Sequence, residues 1–267
     1  MRRKLFFVYG VAGHLAFLGI YAWLAVFVGN FFLPHTIDRP ATASTGQALL
    51  VDIGLIVLFG LQHSIMARPS FKQVWTKIVP PPIERSTYVW VSNAVTALLM
   101  WQWQAVDVTV WHVQTQAIRC TIWTVFLAGW LMVPLVSLMI NHFDLFGSRQ
   151  VWLYLKDLEN KPLPFRTPSL YARMRHPLYV GWMIAFWATP TMTVGHLLFA
   201  AGMTTYILIA IVFEERNLIE HFGPQYAEYR RQVPRFIPWR VGSPKQTEPA
   251  MPSVFSDTTT RALVPND

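Results

Sequence analysis

Residues 178–213 read LYVGWMIAFWATPTMTVGHLLFAAGMTTYILIAIVF, an apolar run with no Asp, Glu, Lys or Arg in it. A helix needs about 20 residues to cross a bilayer core, so the run is too long for one passage. Pro190 and Gly195 interrupt it, and it reads as a helical hairpin turning near Thr189–Gly195. Four apolar stretches precede it, at Leu5–Leu33, Ala48–Met66, Tyr88–Trp103 and Ile118–Ile140. The expected fold is all-α: a polytopic integral membrane bundle of four long transmembrane helices, a C-terminal helical hairpin and a cytoplasmic extension. Composition agrees, since 53% of the 267 residues are hydrophobic and 13% charged, where soluble domains carry about 25% charged residues. The single cysteine, Cys120, excludes a disulfide framework and a thiolate metal cage, and no metal site is expected.

The net charge of +8 is spread through the gaps between apolar runs, which points to membrane topology and away from nucleic acid. Segment 67–87 carries Arg68, Lys72, Lys77 and Arg85 against Glu84, and segment 141–177 carries six basic residues against three acids. Segments 34–47 and 104–117 hold only Arg39 against Asp38 and Asp107. Positive loops stay inside, so a multi-pass protein of six crossings is expected, with both termini cytoplasmic and Trp101, Trp103, Trp111 and Trp123 at the opposite interface. Met1–Lys4 leads into a run too long for a signal-peptide core, so the first helix is expected to stay in the mature protein. Helix should continue past Glu214 to Gly223-Pro224, followed by a short amphipathic segment and an apolar strip, Val233–Trp239. Residues 1–240 read as one membrane domain, and 241–267, rich in Ser, Pro and Thr, as a disordered tail.

This topology brings four polar clusters to one membrane depth: Gln62-His63-Ser64, Asn141-His142, Arg175-His176-Pro177 and Glu214-Glu215. Ionisable groups there are costly and face a bundle interior or a wet cavity, so a site open to the cytoplasm is expected. Pro177 can start a helix whose free N–H groups hold a carboxylate, Gly181 allows close backbone approach, and His176 and Tyr179 flank the spot. Glu214 and Glu215 point about 100° apart, so one can face inward toward a cation. Arg216, Arg173 or Arg175, a ligand ammonium or ribose hydroxyls would satisfy it. His14, Asp52 and His196 read as packing groups, and Cys120 lies far from the site.

Residues Arg175–Trp182, Glu214–Gly223 and Tyr229–Pro238 resemble the isoprenylcysteine carboxyl methyltransferase superfamily, over roughly Tyr171–Pro238. That resemblance implies S-adenosylmethionine as cofactor, bound within 171–238, with Arg175, His176, Leu178, Tyr179 and Gly181 lining it and Glu214 or Glu215 on its polar end. Gln62–Arg68 and Asn141–Gln150 resemble NnrU-type membrane proteins instead. Together the halves are similar to the bacterial methanethiol S-methyltransferases of the inner membrane. This implies methyl transfer to a small volatile thiol, methanethiol, giving dimethyl sulfide, with hydrogen sulfide a poorer acceptor. Aligning the two reactants can remove up to about 7–11 kcal/mol of barrier. A thiol of pKa about 8.5 is mostly protonated at neutral pH, so His63 or His142 would take its proton. The rival is a haem-dependent isomerase of the NnrU and carotene isomerase type, with His63 and His142 as iron ligands; it leaves Arg175–Gly181 and the Glu pair unexplained. A third reading is a non-enzymatic assembly partner of respiratory complexes. The oligomeric state is left open.

Overall fold

In the computed structural model, residues 1–238 are described; the expected tail at 241–267 and Trp239 of the apolar strip lie outside them. The chain runs α1 (Arg2–Gly29), α2 (Thr45–Met66), α3 (Pro69–Trp75), α4 (Pro81–Gln102), β1 (Thr109–His112), α5 (Gln116–Ile140), α6 (His142–Leu145) and α7 (Ser148–Lys156). After a 3₁₀ turn at Ser169–Ala172 come α8 (Pro177–Trp187), β2 (Thr191–Thr193), α9 (Val194–Phe222) and α10 (Pro224–Gln232). The protein is thus a helical membrane protein. Four helices, α1, α2, α5 and α9, are long and apolar enough to cross a bilayer. Helix α4 matches α2 at 22 residues, but it opens on Glu84, Arg85 and Ser86 and carries Ser92 and Asn93 toward the inside, packed between α1 and α2.

The hairpin is asymmetric. Helix α8 has 11 residues, a rise of about 16 Å, roughly half a hydrocarbon core. Pro190 prevents further helix, so the chain continues extended, and extended backbone in an apolar setting must find hydrogen-bond partners. Strand β1 supplies them, pairing antiparallel with β2 in the register Thr109↔Thr193, Trp111↔Met192 and His112↔Thr191. Val113 N–H donates to Pro190 O at 2.9 Å, Trp111 Nε1 to Thr189 O at 3.1 Å, and Gly195 N–H to Val106 O at 3.0 Å. This two-stranded ribbon is the one departure from the all-helical expectation among the described residues.

A polar knot fastens the same end. Asp38 accepts from Thr193 Oγ1 at 2.6 Å and meets His196 Nδ1 at 3.3 Å, while His196 Nε2 reaches the otherwise unpaired Phe186 carbonyl of α8 at 3.1 Å. Asp52 accepts the Gln104 N–H at 2.9 Å where α4 ends. Of the four tryptophans expected at this interface, Trp101 is 68% exposed, but Trp103 is fully buried, edge-on to Phe27 and Phe199. The α4 C-terminus tucks inward there, so Trp103 is core.

Helices α5 and α8 pack with almost no gap because both present glycine at the crossing. A Cβ on Gly129 would lie 2.7 Å from Ala185 N, and one on Gly181 would lie 3.3 Å from Gly129 O. Pro134, inside α5, cannot donate to the Trp130 carbonyl, and the Tyr21 hydroxyl from α1 takes that place. Helices α1 and α5 are thereby tied at mid-height.

Candidate functional site

Beside that tie lies a cavity of about 750 Å³, bounded by α1, α2, α4, α5, α8 and α9. It reaches from Arg68, Arg85 and Glu214 at the N-terminal end of α1 inward to Leu24, Leu99 and Phe199. The volume falls in the usual range for small-molecule sites, about 300–1,000 Å³. Its wall is mainly aromatic and aliphatic, with polar groups gathered toward the open end.

The glutamate pair divides as the 100° helical rotation requires. Glu215 is 3% exposed and closely surrounded by basic side chains: Oε1 accepts from Arg175 Nε at 2.9 Å and faces His176 Nε2 at 3.0 Å, while Oε2 meets Arg230 Nε at 3.3 Å and Arg235 Nη2 at 3.4 Å. The Arg175 N–H donates to Pro234 O at 2.9 Å and the His176 N–H to Arg235 O at 3.2 Å. Glu215 therefore clamps three separate parts of the chain: the start of α8, helix α9, and the strip after α10. Glu214 stands outside the clamp, on the cavity wall. It accepts the Tyr179 hydroxyl at 2.9 Å, its side chain is 44% exposed, and His176 Nδ1 lies 3.9 Å away. It keeps acceptor capacity for a ligand.

The two candidate histidines also differ. His63 Nδ1 lies 3.1 Å from Phe59 O, and its ring stacks on Phe59 at 3.9 Å. A carbonyl only accepts, so Nδ1 carries the hydrogen and Nε2 of the neutral ring keeps a lone pair. No described residue bonds Nε2, and His63 lines the cavity. His142 also lines it, yet both its nitrogens are engaged: Nδ1 with Ser137 Oγ at 2.8 Å, and Nε2 with His14 Nε2 at 3.0 Å. His14 Nδ1 in turn meets Ser148 Oγ at 2.8 Å. Ser137 donates to Pro134 O at 2.8 Å, which orients the chain: Ser148 donates to His14, His14 to His142, and His142 to Ser137. Burial holds the His142 pKa below the ordinary imidazole value, as this neutral arrangement requires. With its nitrogens so committed, His142 has no free position for an iron, which weighs against the haem reading.

The structure thus brings His63, His142, Leu178, Tyr179 and Glu214 to one cavity. Arg175, His176 and Glu215 form the clamp beside it, and Gly181 faces α5. Sequence reasoning passed over Arg85, Tyr88, Tyr206 and Asn217, which also line the cavity. Arg85 and Tyr88, three residues apart on α4, share one helical face, with the guanidinium 4.7 Å from the ring centre. That spacing was the available signal.

Comparison with known proteins adds the chemistry. No family model matches the chain, and no solved structure matches. The chain is 46% identical to a methanethiol S-methyltransferase of Crocosphaera subtropica over 239 residues, covering 90% of this chain and 94% of that one. It is 46% identical to one of Mycobacterium tuberculosis over 239 residues, covering 90% and 98%. It is also 28% identical to Nurim of Bos taurus over 185 residues, covering 64% and 70%. The first two matches cover 90% of this chain and nearly the full length of each relative, and on that ground the chain belongs to the methanethiol S-methyltransferase family, as a membrane-embedded methyltransferase.

Proposed function

We propose that the protein transfers a methyl group from S-adenosylmethionine to the sulfur of methanethiol, giving dimethyl sulfide and S-adenosylhomocysteine, with hydrogen sulfide as a poorer acceptor. The observation that carries this reading is the meeting, in one cavity, of the Glu214–Tyr179 wall, a histidine nitrogen with an unspent lone pair, and apolar aromatic walls. That donor set suits the methyl donor, which carries an ammonium and ribose hydroxyls for Glu214 and an adenine for aromatic walls. When bound, the donor supplies an electrophilic methyl on a sulfonium. Tyr179 orients Glu214, Leu178 adds apolar wall, and Arg175, His176 and Glu215 hold the α8 terminus in place, while Gly181 seats α8 on α5. His63 Nε2 takes the thiol proton as the new carbon–sulfur bond forms. The largely apolar lining keeps water from competing for the methyl group.

The small, lipid-soluble acceptor fits a site embedded in a bilayer. The N-terminal end of α1 and the cavity mouth are assigned to the cytoplasmic face of a bacterial inner membrane, because the basic segments 67–87 and 141–177 lie at that end.

Headspace gas chromatography of the purified protein, given S-adenosylmethionine and a panel of thiols, tests reaction and acceptor together. Dimethyl sulfide from methanethiol is the expected product. With His63→Gln, turnover should drop about 10²-fold or more with donor affinity retained. Absence of dimethyl sulfide with any donor concentration would overturn the reading.

A further inference from the structure

Two cations on the cavity are not used by the mechanism above. Arg68 follows the C-terminus of α2, its guanidinium 3.9 Å from the centre of the Phe213 ring, one residue before Glu214. Arg85 donates Nε to Leu145 O at 2.7 Å and lies over Tyr88. Both line the cavity. Among the described residues neither has a carboxylate within ion-pair distance. Other nearby acids are committed elsewhere, Glu84 to Lys72 at 3.7 Å, Asp144 to Arg149 at 3.0 Å, and Glu215 to Arg175, Arg230 and Arg235, while Glu214 accepts the Tyr179 hydroxyl. A half-buried arginine in an apolar setting is costly without an anion.

Resting on the donor assignment made above, we propose that Arg68, assisted by Arg85, holds the α-carboxylate of the methyl donor's amino-acid end, while Glu214 takes the adjacent ammonium. The placement of Arg68 on the ring preceding Glu214 sets both signs at one cavity mouth, which is what a zwitterion needs. A planar guanidinium with paired donors matches a carboxylate better than it matches a neutral ligand. Arg68 and Arg85 would then be binding residues contributed by the first half of the chain, facing Glu214 and Tyr179 from the last third.

The test is calorimetry on the full-length protein in detergent, with S-adenosylhomocysteine and its decarboxylated analogue S-adenosyl-3-thiopropylamine. Wild type should prefer S-adenosylhomocysteine by at least tenfold, about 1.4 kcal/mol. In Arg68→Gln that preference should vanish through weaker binding of S-adenosylhomocysteine alone, with the analogue unmoved. A retained preference would overturn the proposal and leave Arg68 to pair with the bilayer's phosphates; equal weakening of both ligands would make it merely structural. If wild type binds both ligands alike, this proposal fails and the donor assignment stands; if it binds neither, both fall.

Discussion

At the scale of single residues, Glu214 and Glu215 show how one step along a helix separates ligand chemistry from structure. Replacing Glu215, whose side chain is 4% exposed, with Gln leaves Arg175 buried without its counter-charge. Loss of one partner from such a pair costs about 3–5 kcal/mol, so Glu215→Gln should unfold at markedly lower temperature in detergent. Glu214→Gln should keep the thermal midpoint and weaken S-adenosylhomocysteine binding about tenfold in calorimetry, the worth of a charge-assisted hydrogen bond. The sequence made both glutamates candidates, because a 100° offset says that one can face inward without saying which. A second residue-level outcome concerns acid. His142 has a pKa held below 6.5 by burial, so the unfolded chain binds the extra proton first. Stability is full above about pH 6.5 and falls as pH drops below it, since protonation puts N–H against N–H toward His14. Thermal midpoints measured from pH 7.5 to 5 should fall less steeply for His142→Gln than for wild type.

Among the elements, the crossing of α5 and α8 sets where Tyr179 stands, and it depends on Gly129 more than on any apolar side chain. Gly129→Ala puts a methyl 2.7 Å from backbone nitrogen, which cannot yield by changing rotamer. Helix α8 must shift, at about 1–3 kcal/mol, and both the thermal midpoint and donor affinity should decline; an unchanged protein would show that the crossing has slack. The long helices were legible because lipid demands uninterrupted apolar runs, and α9 ends at Phe222 as Gly223-Pro224 indicates. The ribbon of β1 and β2 was not: residues 108–113, Val-Thr-Val-Trp-His-Val, have the β-branched and aromatic content of a strand, but the run is short, and its partner β2 lies inside the apolar run broken by Pro190. Helix α7, amphipathic and packed on α1, lay hidden in a segment legible only as a basic loop.

For the molecule as a whole, the proposed orientation places the cavity mouth inside the cell and the ribbon outside. Cys120, the only cysteine, is exposed near the start of α5 at the ribbon end. A membrane-impermeant maleimide should label it in intact spheroplasts, whereas labelling only after lysis would reverse the orientation. The Glu215 clamp adds an order in time. Arg230 and Arg235 come from the last stretch described and meet Glu215, while the carbonyls of Val233 and Pro234 accept from Arg175, nearly sixty positions earlier. During synthesis every wall of the cavity can be inserted and still lack its keystone, so chains truncated before residue 230 should leave the start of α8 unfastened.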